Sequence, residues 1–378
     1  MQWKRRTPMS EREEFVGRAN QDGSNISQLC DSYGISRKTG YKWLRRVGEM
    51  GLAGLEDRSR KPCHSPNQTS SAMEEMVLAV RVEHPAWGGR KIRRLLQNRG
   101  EVAVPSASTI TAILRRSGQI GPEESVKHKA FLSFEHEHAN DLWQMDYKGY
   151  FQLTPGGYCH PLTVLDDHSR FLIGLKSCPN ERRITVQYHL RAIFEEYGLP
   201  ERMLMDNGSP WGDDGSNPYT LLTAWLLRLG ISISHGRPYH PQTQGKDERL
   251  HRTLKNELIS RHAFHDLEQA QNLFDQWRYE YNYIRPHEAL QMNTPANRYV
   301  SSMRPFPTSL PPIVYEATDY IRRTDDRGEL SFRGQRFRIG RAFPNQEIGI
   351  RPTVRDGIFD VYFCKQKVSR ISLLKEEP

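Results

Sequence analysis

A chain of 378 residues exceeds what one hydrophobic core usually organises, so two to four domains are expected. A mean hydropathy of −0.73, the lack of any apolar run near ~18 residues and the lack of an N-terminal apolar segment lead us to expect neither a membrane span nor export, and five scattered cysteines without a CxxC pair argue against a disulfide scaffold or zinc knuckle. The net charge of +9 lies entirely in residues 1–129, which hold 23 Lys and Arg against 14 Asp and Glu while the rest holds 31 of each, so the first third is expected to meet a polyanion, nucleic acid first, in the cytoplasm.

Residues 1–50 read as three short helices, Glu11 to Ala19, Asn25 to Ser32, and one capped by Ser36 that runs to about Val47. Ile26, Leu29, Ile35, Tyr41 and Leu44 are assigned to its core, which leaves Arg37, Lys38, Thr39, Lys42 and Arg45 outside. This is the pattern of a helix-turn-helix domain, whose second helix enters the major groove. Residues 51–69 form a basic linker in which Pro62 and Pro66 block helix; Arg58, Arg60 and Lys61 either reach a minor groove or keep the linker solvated. Residues 70–120 repeat the helical layout as a second helix-turn-helix domain: Ala72 to Glu83, Gly89 to Asn98, and Ala107 to Ser117 capped by Ser106. Arg90, Lys91 and Arg94 are its candidate DNA contacts. Residues 121–138 are a charged linker.

Residues 139–300 change character. From Leu142 to Phe151 residues alternate as in a strand, with Asp146 mid-strand on the face of Gln144. Strands near His160 to Leu165 and Phe171 to Lys176 complete an antiparallel meander. Helices and strands then alternate: Ile184 to Tyr197, Arg202 to Met205 ending at Asp206, Tyr219 to Leu229, and Ile231 to Ser234. This order predicts an α/β sheet covered by helices. A long helix starts at Gly245, with Leu250, Leu254 and Leu258 as one stripe and Glu248, Arg252 and Lys255 opposite. Asp247 lies nearer the leucines. On residues alone, Glu248 and Arg252 could equally be a solvated i,i+4 pair worth ~0.2–0.5 kcal/mol. Lys246, Arg249, Arg252 and Lys255 are candidate phosphate contacts. Asp166 and Asp167 read as turn caps. After a further helix, Phe264 to Tyr283, residues 301–312 form a linker, and short alternating runs over 313–378 predict a small all-β barrel.

Three segments resemble the acidic triad of the integrase-like DDE superfamily: Asp146 in Trp143-Gln144-Met145-Asp146, Asp206 in Met205-Asp206-Asn207-Gly208-Ser209, and Glu248 in Gln244-Gly245-Lys246-Asp247-Glu248-Arg249. The run from His235 to Lys246, then His251-Arg252-Thr253-Leu254-Lys255 and Tyr281 to His287, is most similar to bacterial insertion-sequence transposases, especially the insertion sequence four-eighty-one family. The resemblance spans about residues 10–300 and implies a multidomain protein with a central α/β RNase H-like catalytic core. It implies Asp146, Asp206 and Glu248 as catalytic residues and ligands of two Mg²⁺ ions, with Mn²⁺ as a substitute, for phosphodiester cleavage and transfer. Expected partners are double-stranded DNA (the element's terminal inverted repeats and its target) and further copies of the chain, at least a dimer on DNA, nucleoid-associated in a bacterium, with no membrane. A sequence-directed endonuclease without strand transfer, or a non-catalytic DNA-binding regulator, is the alternative.

Overall fold

The computed structural model describes residues 7–58, 68–121, 135–212, 218–236 and 245–374. It divides into two compact units, Met1–Gln68 and Thr69–Pro378.

In the first unit, α1 (Pro8–Ala19), α2 (Ile26–Ser32) and α3 (Arg37–Met50) are followed by a 3₁₀ turn, Gly51–Leu55. Thr7, Asn25 and Ser36 cap the three helices, each accepting backbone N–H bonds that the first turn leaves unpaired. The fully enclosed core is Phe15, Val16, Cys30, Trp43 and Leu55, with Ile26, Leu29, Ile35 and Leu44 packed around it. Tyr41, expected inside, is 58% exposed: Trp43 takes the core-facing slot of α3, and a residue two positions earlier lies about 200° around the helix. Helices α2 and α3 cross at Gly40, where an added Cβ would fall 2.5 Å from Cys30 Sγ. The expected linker begins later than residue 51, because Gly54 and Leu55 are buried and Arg12 donates to the Leu55 carbonyl at 2.8 Å.

The second unit opens with α4 (Ser71–Glu83), α5 (Gly89–Asn98) and α6 (Ala107–Arg116), which enclose Val77, Trp87, Ile92, Ile110 and Leu114. Next comes a mixed sheet of β1 (Trp143–Tyr147), β2 (Phe151–Gln152), β3 (Tyr158–Asp166), β4 (Leu172–Cys178), β5 (Arg202–Met205) and β6 (Ser232–His235). Strand β1 pairs antiparallel with β3, which pairs antiparallel with β4, and β5 and β6 continue on the other side of β1 in parallel. The strand read from Leu142 to Phe151 is broken at Gly149, whose φ of 82° favours glycine, and resumes as β2 on the same edge of β3.

Helices cover both faces. Trp143, Met145, Val164 and Met203 pack with α7 (Arg183–Tyr197) and α8 (Leu221–Arg228). Leu165, Leu172 and Leu175 pack with Leu250 and Leu254 of α9 (Gly245–Glu257) and with Phe274 and Trp277 of α10 (Leu267–Tyr279). This is the α/β order expected of an RNase H-like core.

The C-terminal expectation is corrected. Six strands form there: β7 (Tyr320–Arg323), β8 (Glu329–Phe332), β9 (Gln335–Arg338), β10 (Glu347–Pro352), β11 (Ile358–Phe363) and β12 (Gln366–Ser372). They make an open four-stranded sheet in the order β12-β11-β10-β7 and a separate β8-β9 hairpin, so no barrel closes. A barrel buries its inner face by curling on itself. Here Ile348, Ile350, Val361 and Phe363 join the same core cluster as α7 and α8, with Tyr219 against Phe343 at 5.6 Å, so the apolar face is covered without closure.

Candidate active site and nucleic-acid surfaces

Asp146 and Asp206 sit near or just past the C-terminal ends of adjacent parallel strands. Trp143 pairs with Met203 and Gln144 with Leu204, and continuing that register by two residues sets Asp146 beside Asp206. Strand ends of open α/β sheets are where ligands collect, because side chains and loops there diverge into a crevice. Asp146 Oδ1 accepts from the Tyr147 N–H at 2.8 Å, and Asp206 Oδ1 accepts from Gly208 N–H at 3.2 Å. Burial, then the negative charge of Asp206, pushes the Asp146 carboxyl up to about 7. Burial also raises Asp206 above the usual carboxylate range. Glu181, which the sequence did not single out, adds negative charge to both. The donors are hard oxygens short of positive charge, which fits a divalent cation held by one or two carboxylates, with water and phosphate completing the shell.

Helix α9 lies over the Asp146 face of β1. Glu248, Arg249, Arg252 and Lys255 are exposed, whereas Asp247 is 1% exposed and its oxygens have no hydrogen-bond partner among the described residues. Burial, and then Asp146, raise the Asp247 carboxyl well above its ordinary value. Among the described residues, no three His, Cys, Asp or Glu side chains converge closely enough to hold a metal ion, so Glu248 is not drawn into one cluster with Asp146 and Asp206. His251 is buried on the same helix, with Nε2 2.9 Å from Thr163 Oγ1 and Nδ1 3.9 Å from Asp146 Oδ2. Burial, with Lys148 nearby, lowers its pKa to about 3, so its ring is neutral. Helical spacing put Asp247 nearer the leucine side, but only the packed structure shows what it and His251 meet.

Lys246 turns inward. Its ammonium pairs with Asp167 Oδ1 and donates to the Asp167 carbonyl at 3.1 Å. Asp167 also accepts from Gln144 Nε2 at 2.7 Å and from the His136 N–H at 2.9 Å. Asp166 caps the following turn through Ser169 N–H at 2.8 Å.

On α3, Arg37, Lys38 and Arg45 are exposed. Lys42 and Thr39 are half-buried, Lys42 over the Trp43 ring at 4.1 Å and Thr39 sharing a hydrogen bond with the Ser36 cap at 2.9 Å. Arg58 is exposed and contacts Met50 Sδ at 3.1 Å, while Arg60 and Lys61 fall outside the described residues. The α5 cations lie against the end of α9 and the segment that follows α10. Lys91 pairs with Glu257 at 3.7 Å, both largely buried, and burial with Arg285 lowers the lysine to about 8. Arg94 donates to Asn293 Oδ1 at 3.0 Å, and Arg90 meets Glu288 at 3.4 Å. All three thus have partners within the unit, and Lys91 and Arg94 are half-buried while Arg90 stays exposed.

Family models match along the chain: helix-turn-helix domain at residues 11–62, homeodomain-like domain at 39–114, integrase core domain at 136–241 and again at 229–295, and IS481 family transposase, C-terminal domain, at 319–378. The chain is 24% identical over 255 residues to the insertion element IS476 uncharacterized 39.2 kDa protein of Xanthomonas euvesicatoria, covering 65% of this chain and 69% of that one. It is 25% identical over 317 residues to the transposase for transposon Tn552 of Staphylococcus aureus, covering 74% of this chain and 64% of the other. It is 34% identical over 119 residues to the Gag-Pro-Pol polyprotein of Simian retrovirus SRV-2, spanning 32% of this chain and only 6% of the polyprotein.

Proposed function

We propose that this chain, which belongs to the insertion-sequence transposases built on an integrase-like DDE core with helix-turn-helix DNA-binding domains, binds the terminal inverted repeats of its element, cleaves to expose 3′-hydroxyl ends and joins them to target DNA. One observation carries the reading: two half-buried carboxylates, Asp146 and Asp206, stand side by side at the crevice end of the sheet. Asp146, Asp206 and Glu248 would hold two Mg²⁺ ions, or Mn²⁺ in their place, which polarise the scissile phosphate and stabilise the entering and leaving oxygens. Glu248 contributes from the exposed surface of α9, where Arg249, Arg252 and Lys255 offer charge to the DNA backbone. The α3 surface of Arg37, Lys38 and Arg45 reads the element end. Lys246, Lys91 and Arg94, engaged inside the second unit, are left out of the contact set. Both ends of an element must be processed, so at least two copies act together on DNA.

The test uses purified protein, labelled oligonucleotides carrying candidate element ends, a target plasmid, and Mg²⁺ or EDTA, with Glu248→Gln as the matched control. Metal-dependent joining by wild type, lost in the variant, is the expected result. Cleavage without joining would make the protein an endonuclease, and specific binding with neither product would make it a regulator.

A further inference from the structure

The buried polar contacts between α9 and the sheet carry one more step, which rests on the catalytic reading above. Thr163 is fully buried on β3, and its hydroxyl donates to the Asp146 backbone carbonyl at 3.0 Å. A hydroxyl has a single proton. With that proton committed, Thr163 Oγ1 can only accept from His251 Nε2, 2.9 Å away. The imidazole is therefore the Nε2–H form. A relay runs from α9 through β3 to the backbone of the strand that carries Asp146.

Around this point α9 meets the sheet leucines through Leu250 and Leu254, and the Lys246–Asp167 pair ties the helix a second time, five residues before His251 and on the other side of Glu248. Apolar packing is non-directional and tolerates sliding, whereas a hydrogen bond near 2.9 Å does not. Each residue of slip along a helix moves its side chains 1.5 Å and turns them 100°. Glu248 lies three residues before His251 on this helix.

We propose that His251 and Thr163 are positioning residues: their relay locks α9 in register with β1 and so sets where Glu248 stands relative to Asp146 when a divalent cation binds. Neither residue is a ligand. Asp146 receives its help at the backbone, which leaves both its carboxylate oxygens free of the histidine, since Nδ1 stays 3.9 Å from Oδ2.

The experiment measures Mn²⁺ binding to the full chain from the loss of the free-ion electron paramagnetic resonance signal, with thermal melting recorded on the same samples. Variants are His251→Ala, His251→Asn, Thr163→Val and, as the ligand control, Asp146→Asn. His251→Ala and Thr163→Val should each weaken binding about tenfold, as loss of a group that orients metal ligands does. The double variant should be no worse than either single one, because both break the same relay. His251→Asn, which keeps an N–H donor, should recover most of the affinity. If His251→Ala does not fold, the near-isosteric Thr163→Val decides alone. Wild-type affinity in Thr163→Val, or no recovery in His251→Asn, while Asp146→Asn is impaired, overturns the positioning role and leaves the catalytic reading standing. Wild-type binding no tighter than that of Asp146→Asn removes the catalytic reading and this proposal with it.

Discussion

Lys246 separates two kinds of basic residue that look alike along α9. Its side chain is 12% exposed and Asp167's is 3%, and the two form a buried ion pair. Removing one partner of such a pair costs about 3–5 kcal/mol, because the other charge is left uncompensated in low dielectric. In Lys246→Met, Asp167 keeps its bonds from Gln144 at 2.7 Å and His136 N–H at 2.9 Å, so the loss should sit at the low end, about 3 kcal/mol. In Asp167→Ala, Lys246 stays buried beside Arg170, and the loss should reach about 5 kcal/mol. Urea unfolding of the full chain reads this directly: with a slope of ~3 kcal/mol/M, the midpoint of the second unit should fall by about 1 M in Lys246→Met and further in Asp167→Ala. The companion assay is the salt dependence of DNA binding. Arg252→Ala and Lys255→Ala, on the exposed face, should each lower the slope of log affinity against log salt by about 1, while Lys246→Met leaves it unchanged. A stable Lys246→Met protein with a reduced salt slope would refute the reasoning and return Lys246 to the phosphate contacts.

Other outcomes follow from the same geometry. Asp146 has a folded-state pKa of about 7, above its unfolded value, so its contribution to stability is fully present below pH ~4 and is lost as pH rises through 7. Metal-free Asp146→Asn should therefore melt higher than wild type at pH 8, with the gap closing toward pH 4, and melting scans across that range check it. In the first unit, Trp43→Ala should cost about 3–5 kcal/mol, whereas Tyr41→Ala, at 58% exposure, should stay within about 0.5 kcal/mol in urea titrations. Gly40→Ala should cost about 1–3 kcal/mol by forcing Cys30 and Phe15 away from a Cβ that would sit 2.5 and 2.9 Å from them, and a shift in the melting temperature reports it.

Local chemistry was legible along the chain. Ser36 and Ser106 marked helix starts because a side-chain oxygen before an amphipathic run caps it, and both do so here. The leucine stripe of α9 was readable from a 3.6-residue period, and β1 and β4 from alternation and apolar runs. The three acids stood out through the motifs around them. Tertiary structure decided what periodicity cannot encode. Period alone ranks neighbouring apolar residues equally, so only packing chose Trp43 over Tyr41 for the first core. Charge alone does not say whether a lysine faces solvent or an acid from another element, so Lys246 and Lys91 were readable as cations but not as partners of Asp167 and Glu257. Alternating strands at the C-terminus are equally compatible with a closed barrel and an open sheet. That choice depends on whether a second apolar surface is at hand, and here the core beneath α7 and α8 supplies it.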